Sequence, residues 1–269
     1  MIVQPAIEVE NLNRTFRRGG WLSSGSDIVA VCDATFQVAR GETLAIVGES
    51  GSGKSTIARM LVGLDRPTRG TIRLEGQDLS TLTGRDRRML GRRIQYVFQD
   101  PVASLNPRHR IGEILGSTLA GLAAMAGRAA RRARMEELLH HVGLEAESLQ
   151  RYPHEFSGGQ AQRIAIARAL AAEARIIVLD EPVSALDVSV QAQVLLLLDR
   201  LKAEFDLTYV FISHDLAVVE AISDRVMVMQ GGEIVETGSA EGLFAAPRAA
   251  YTRSLLASAP RLDRASETL

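Results

Sequence analysis

Residues 48 to 55 read GESGSGKS, and few stretches of eight residues restrict a fold so tightly. The stretch fits the pattern G-x-x-x-x-G-K-[ST], in which a glycine-rich turn leads into a helix. Gly48, Gly51 and Gly53 let backbone N–H groups turn inward, so that the loop through Glu49, Ser50 and Ser52 forms a concave anion nest. Lys54 is then expected to reach β- and γ-phosphates, the Ser55 hydroxyl to ligate Mg2+, and the backbone of 51–56 to hold the phosphates as far as Thr56. Before the loop, Thr43, Leu44, Ala45, Ile46 and Val47 form an apolar run that reads as a buried parallel strand. After it, residues 56–62 have helical spacing, and the helix is expected to start where the loop ends. Its positive N-terminus would face the phosphates. A strand, this loop and a helix in that order predict a nucleotide site.

Composition removes several other classes. With 269 residues the chain suffices for one or two domains with a buried core. A formal net charge of −1 gives no global basic field for nucleic acid, so none is expected as partner. One cysteine, Cys32, excludes a disulfide framework or a four-cysteine iron–sulfur centre within the chain. Its setting beside Val29, Ala30 and Val31 predicts a buried structural thiol. The N-terminus lacks the charged-then-apolar layout of a signal peptide. The longest apolar runs, such as 194–198 and 226–229, fall far short of the roughly 20 residues a bilayer requires. A soluble chain is expected, with any membrane role supplied by a partner.

Alternating residues at 7–9 and 33–38 predict half-buried strands, joined by a Gly- and Ser-rich hairpin connection at 17–27. With a further strand at 71–74, they suggest an antiparallel β layer beside the loop-bearing core. From 111 to about 170 the pattern is helical, including alanine-rich stretches at 119–126 and 129–142. Arg128, Arg131, Arg132 and Arg134 cluster there, and a solvated helix face is expected, with phosphate contact as the alternative. Strands return at 175–180 and 208–213, each ending in a polar residue on the edge where open α/β sheets bind ligands. Two closing strands near 225–229 and 233–236 precede a short tail.

Asp180 and Glu181 follow the apolar strand directly. An aspartate there can hold Mg2+ through its water shell, and a glutamate beside it can polarise an attacking water. An exposed acidic pair at a strand end is the competing reading.

Phe156, Ser157, Gly158, Gly159 and Gln160, followed by Ala161, Gln162 and Arg163, resemble the LSGGQ signature of ATP-binding-cassette (ABC) ATPases, with Phe for the usual Leu. This is again a glycine nest at a helix N-terminus. The resemblance runs from residue 7 to about 259 and includes three further motifs in order. Gln99 resembles the Q-loop glutamine that senses Mg2+ and links the core to the helical insertion. Ser184, Ala185, Leu186 and Asp187 resemble the D-loop at the dimer interface. His214 resembles the switch histidine on the γ-phosphate; alone, a histidine at a strand end is more often structural, and its company reverses that reading. Phe16 sits where the family stacks an aromatic on adenine, the alternative being a core side chain of the β layer.

The resemblance implies an α/β fold: a RecA-like P-loop NTPase core with an antiparallel β subdomain and an inserted α-helical subdomain at about 101–170. The ATPase domain would span 1–240 and a short C-terminal tail 241–269. It implies MgATP as cofactor, with Ser55, Gln99 and Asp180 at the metal and Glu181, Gln99 and His214 in catalysis. Ser157, Gly158, Gly159 and Gln160 would act in trans on the ATP of a partner in a head-to-tail dimer.

Within the family, the segments at 98–108, 152–156, 187–194 and 251–256 are similar to the branch serving oligopeptide, dipeptide and nickel importers. That branch pairs two different ATPase chains beneath two permeases and takes an extracytoplasmic substrate-binding protein, and this chain resembles the second of the pair. Its place would be the cytoplasmic face of the membrane. Peptide uptake is the expected function, with nickel, opine or glutathione-like cargo as alternatives. Two departures stand out: Ala249 and Ala250 replace a usual His-Pro before Tyr251, and the cysteine cluster of some members is missing. Two rivals lie outside transport. ABC proteins of translation or DNA maintenance carry a second cassette or a long coiled coil, for which this length has no room. A phosphate-loop kinase would have no use for the signature, D-loop and histidine.

Overall fold

The structure, a computed structural model, describes residues 4–16 and 27–258. The connection expected at 17–27 therefore lies, except for Asp27, outside the described residues, as does the tail beyond 258.

In chain order the first half comprises β1 (Ile7–Phe16), β2 (Ile28–Val38), β3 (Thr43–Val47), α1 (Lys54–Leu61), β4 (Arg69–Leu74), β5 (Gln77–Asp78), α2 (Gly84–Leu90) and β6 (Ile94–Val97). Three helices follow, α3 (Ile111–Gly121), α4 (Arg128–His141) and α5 (Gly158–Ala171). The chain then alternates through β7 (Ile176–Asp180), α6 (Val188–Phe205), β8 (Thr208–Ile212), α7 (Leu216–Ile222), β9 (Arg225–Gln230) and β10 (Glu233–Ser239). It closes with α8 (Ala240–Ala245) and α9 (Ala250–Ser258).

One sheet has the order β2-β1-β4-β5 and is antiparallel; the other has the order β10-β9-β3-β8-β7-β6. In the second, β3 runs parallel to β8 and β9, and only the β9–β10 pair is antiparallel. Strand side chains alternate faces, and both faces of this sheet are covered, as a parallel sheet requires. Ile177, Leu179, Tyr209 and Phe211 point into one cluster with α3, α4, α5 and α6. Ile176, Val178, Val210 and Ile212 point into another, where α1 and the antiparallel layer meet. The helical insertion thus has no core of its own; it shares one with β7, β8 and α6. No described helix is long and apolar enough to cross a membrane.

Several sequence expectations need correction. The first strand runs on to Phe16, past irregularities around Asn11, which has φ 48°. Cys32 is half-buried, because alternation sends Val31 inward and leaves its neighbour on the other side of β2. Helix α1 begins at Lys54, inside the motif, so the Lys54 and Ser55 backbones belong to its first turn. The alanine-rich stretch 119–126 is not one helix: α3 stops at Gly121, Ala124 has φ 54°, and Gly127 starts α4 with φ 86°. Backbone conformations that helices cannot use outweigh alanine's propensity there. Within the short tail, α8 and α9 place Tyr251, Leu255 and Leu256 against a cluster containing Ala45 and Val47 of β3.

Candidate functional site

The glycine pattern is realised as a turn between β3 and α1. Gly53 caps α1 with φ 104°, and a Cβ there would stand 2.3 Å from the Ala30 carbonyl oxygen of β2. Only glycine fits both demands. The buried Lys54 ammonium donates to the carbonyls of Gly48 (2.7 Å) and Glu49 (2.8 Å), so it stands at the mouth of the nest. Burial lowers its pKa, opposed by the nearby carboxylates of Glu181 and Asp180. Of the 31 basic residues only Lys54 and Lys202 are lysines, so this position keeps a compact ammonium where arginine is otherwise the rule.

Three adjacent strand ends bring the remaining groups to the loop. The Ser55 hydroxyl donates to Asp180 Oδ1 at 3.1 Å, and the Tyr96 hydroxyl donates to Asp180 Oδ2 from the neighbouring β6. Burial and this carboxylate raise the Tyr96 pKa far above its ordinary value, so the phenol stays a donor. At Glu181 the chain leaves β7 with φ 47°, its N–H held by the Ile212 carbonyl at 2.9 Å. The Glu181 carboxylate takes partners other than those of Asp180. Gln99 Nε2 donates to Glu181 Oε2 at 2.9 Å, and His214 Nδ1 lies 3.2 Å from Glu181 Oε1. A cavity of about 470 Å3 collects Lys54, Ser55, Thr56, Gln99, Glu181 and His214 with Ser50, Gly51 and Gly53 of the loop. A larger cavity of about 640 Å3, between Met60, Pro67, Leu79 and Leu82, contains none of the motif residues, so size does not locate the chemistry.

Other expected residues stand apart from this cavity. Ser157 caps α5: its Oγ accepts from Gln160 N, and Gln160 Oε1 accepts from Ser157 N at 3.1 Å. Ser184 bonds back to the Glu181 carbonyl at 3.1 Å, and Asp187 caps α6 by accepting from Val190 N at 3.0 Å. The Val190 N–H and the Ser189 hydroxyl hold the Asp187 carboxyl below its ordinary pKa. The two helix starts touch: a Cβ on Gly159 would lie 2.4 Å from Val190 Cγ1, and one on Gly158 3.3 Å from Leu186 Cδ2. Gly159→Ala is therefore expected to cost about 1–3 kcal/mol, since the β-branched Val190 has little rotamer freedom in a helix. Denaturant unfolding reads this directly, and an unchanged midpoint would mean that α5 and α6 do not press together there. Phe16 ends β1 with 38% of its surface exposed and the Arg14 guanidinium 4.4 Å over its ring, which removes the core reading. Arg128 and Arg132 are exposed and Arg132 pairs with Glu136, as a solvated face would have it.

Sequence reasoning missed three residues here. A hydroxyl in the apolar run of β6 was the available signal for Tyr96. Ala30, which lines the cavity, carried none, and Tyr251, whose hydroxyl accepts from Glu49 N at 3.2 Å, lies 202 residues from its partner.

Ser55 and Asp180 offer two hard oxygens side by side, and no cluster of three or more His, Cys, Asp or Glu suited to a metal exists among the described residues. Such a donor set fits a cation that takes few carboxylates and keeps water and phosphate ligands, as Mg2+ does.

A family sequence model described as "ABC transporter" matches residues 31–184. A putative peptide import ATP-binding protein of Brucella ovis is 52% identical over 236 residues, 88% of this chain and 74% of that protein. The oligopeptide transport ATP-binding protein OppF of Streptococcus mutans is 45% identical over 96% of this chain and 82% of its own length. The dipeptide transport ATP-binding protein DppF of Haemophilus influenzae is 47% identical over 91% and 74%. Among solved structures, the ATP-binding cassette MJ0796, a post-hydrolysis dimer bound to ADP and Pi, is similar with a TM-score of 0.77 at 29% identity, over 87% of this chain and 98% of that one.

Proposed function

This chain belongs to the ABC transporter family, and we infer from that footing that it is the ATP-binding, ATP-hydrolysing subunit of an importer for di- and oligopeptides. One observation supports the catalytic reading above all: Gln99 and His214 converge on the Glu181 carboxylate in the cavity that holds Lys54. In this reading Glu181 accepts the proton of the attacking water, while Gln99 and His214 orient it and sense the γ-phosphate. Lys54 exchanges its loop carbonyls for β- and γ-phosphate oxygens, and the N–H groups of 51–56 hold the rest. Phosphoryl transfer asks mainly for positioning and charge stabilisation, which such an array supplies. Ser55 and Asp180 would hold Mg2+, with Gln99 beside them; when bound, the ion neutralises charge on the β- and γ-oxygens. The exposed ring of Phe16 supports its role as a platform for adenine.

Ser157, Gly158, Gly159 and Gln160 lie outside the cavity, and their glycine nest at the start of α5 is assigned to the ATP of a second subunit. Ser184, Ala185, Leu186 and Asp187 would meet that subunit beside it. The partner is proposed to be a different ABC ATPase. Two permeases and an extracytoplasmic binding protein complete the importer, and the permeases hold this chain at the cytoplasmic face of the membrane.

The test is uptake in a strain lacking this chain, comparing labelled di- and oligopeptides with nickel. Peptide uptake should fall to background and return with the wild-type gene but not with Lys54→Ala. Loss of nickel uptake alone would reassign the cargo and leave the ATPase reading intact.

A further inference from the structure

We infer that Tyr251 is a positioning residue of the phosphate loop, through which the C-terminal helix α9 sets the affinity for nucleotide. This rests on the reading of the loop as the ATP site.

Helix α9 is fastened at its start. The Glu236 carboxylate on β10 accepts the N–H groups of Arg248 (2.8 Å) and Ala249 (3.0 Å), and Arg253 donates to the carbonyls of Pro247 (3.3 Å) and Arg248 (2.6 Å). Burial raises the Glu236 pKa, but the bonds from these N–H groups help to hold it below its ordinary value, so the cap is a carboxylate at neutral pH. Tyr251, Leu255 and Leu256 pack against the cluster that includes Ala45 and Val47 of β3, the strand that feeds the loop. The helix is thus set on the strand, and the tyrosine reaches past its end. Its hydroxyl accepts the N–H of Glu49 at 3.2 Å.

Glu49 also carries the other side of the turn. Its carbonyl accepts the Ser52 N–H at 3.2 Å and the Lys54 ammonium at 2.8 Å. The residue held by Tyr251 therefore presents the carbonyl on which Lys54 rests. Fixing its N–H orients the first turn of the nest before nucleotide arrives, which lowers the ordering cost of binding. The Ser52 carbonyl, tied to the Gly232 N–H at 3.1 Å, fixes the second turn from the β9–β10 hairpin. Without Tyr251 the loop keeps that second anchor but loses the first.

Tyr251→Phe keeps the ring packing and removes only the acceptor. A hydrogen bond of this kind is worth a factor of roughly 3 to 10. ATP binding to the full-length variant should weaken by about that factor, with kcat at saturating ATP and the melting temperature little changed. Amide hydrogen exchange at Glu49, measured without nucleotide, should accelerate by a similar factor. Leu255→Ala, which loosens the helix and spares the hydroxyl, should instead lower the melting temperature as well as the affinity. Wild-type ATP affinity and Glu49 exchange in Tyr251→Phe would overturn the inference. A wild-type chain that bound no ATP would overturn it together with the functional reading it rests on.

Discussion

Glu181→Gln is expected to lower ATP turnover by about 100- to 10,000-fold while leaving ATP binding nearly intact. The amide oxygen can still accept the Gln99 bond that now runs 2.9 Å to Glu181 Oε2, so the site's shape survives. What disappears is the group able to take a proton from water. The closed dimer with two ATPs should then accumulate, because the step that dissolves it is blocked. Replacing Glu181 also removes one of the two carboxylates that oppose the burial-driven drop in the Lys54 pKa. Asp180 remains to oppose that drop. Single-turnover hydrolysis, with size-exclusion chromatography in MgATP, separates the outcomes. Hydrolysis near the wild-type rate would remove Glu181 from the catalytic role.

Gly53→Ala should abolish useful ATP binding, and the comparison with Gly51→Ala tells why. Both positions have positive φ, 104° and 81°, so each alanine carries backbone strain of about 1–3 kcal/mol. At Gly51 a Cβ would meet nothing within 4 Å. At Gly53 it would stand 2.3 Å from the Ala30 carbonyl oxygen. That oxygen cannot retreat easily, since β2 is paired with β1 and the adjacent Cys32 N–H is tied to the Gly232 carbonyl at 2.9 Å. The loop must move instead, and with it the start of α1 and the Lys54 and Ser55 it carries. A displacement near 1 Å in such a site costs about 100-fold in kcat/KM. Gly53→Ala should therefore lose far more activity than Gly51→Ala, and more stability as well. Equal losses in both variants would show that strain, not the encounter with β2, governs the loop.

Much of this site is legible from local chemistry. Glycines spaced for an anion nest, a lysine and serine after them, and an apolar strand before them specify the loop without reference to distant residues. The glycine nest at 157–160 is likewise a short-range pattern, and the structure adds a capping box between Ser157 and Gln160. Local reading was weakest where two local signals competed. Alanine-rich helix propensity at 119–126 gave way to Gly121, Ala124 and Gly127, and an apolar setting misplaced Cys32 because burial in a strand depends on parity as well as on neighbours.

The sequence alone determined the parts: a phosphate loop, an acidic pair at a strand end, a glycine nest before α5, and a family pattern that carries them in order. Each depends on torsions and hydrogen bonds within a few residues, so its chemistry is written where it acts. The tertiary structure decided which parts meet. Gln99 and Glu181 are 82 residues apart, Tyr96 and Asp180 are 84 apart, and Tyr251 and Glu49 are 202 apart. These pairs exist because β6, β7, β8 and β3 lie side by side and α9 packs against β3. Strand order follows from burying both faces of one sheet at once, a condition on the whole chain that no short segment can express.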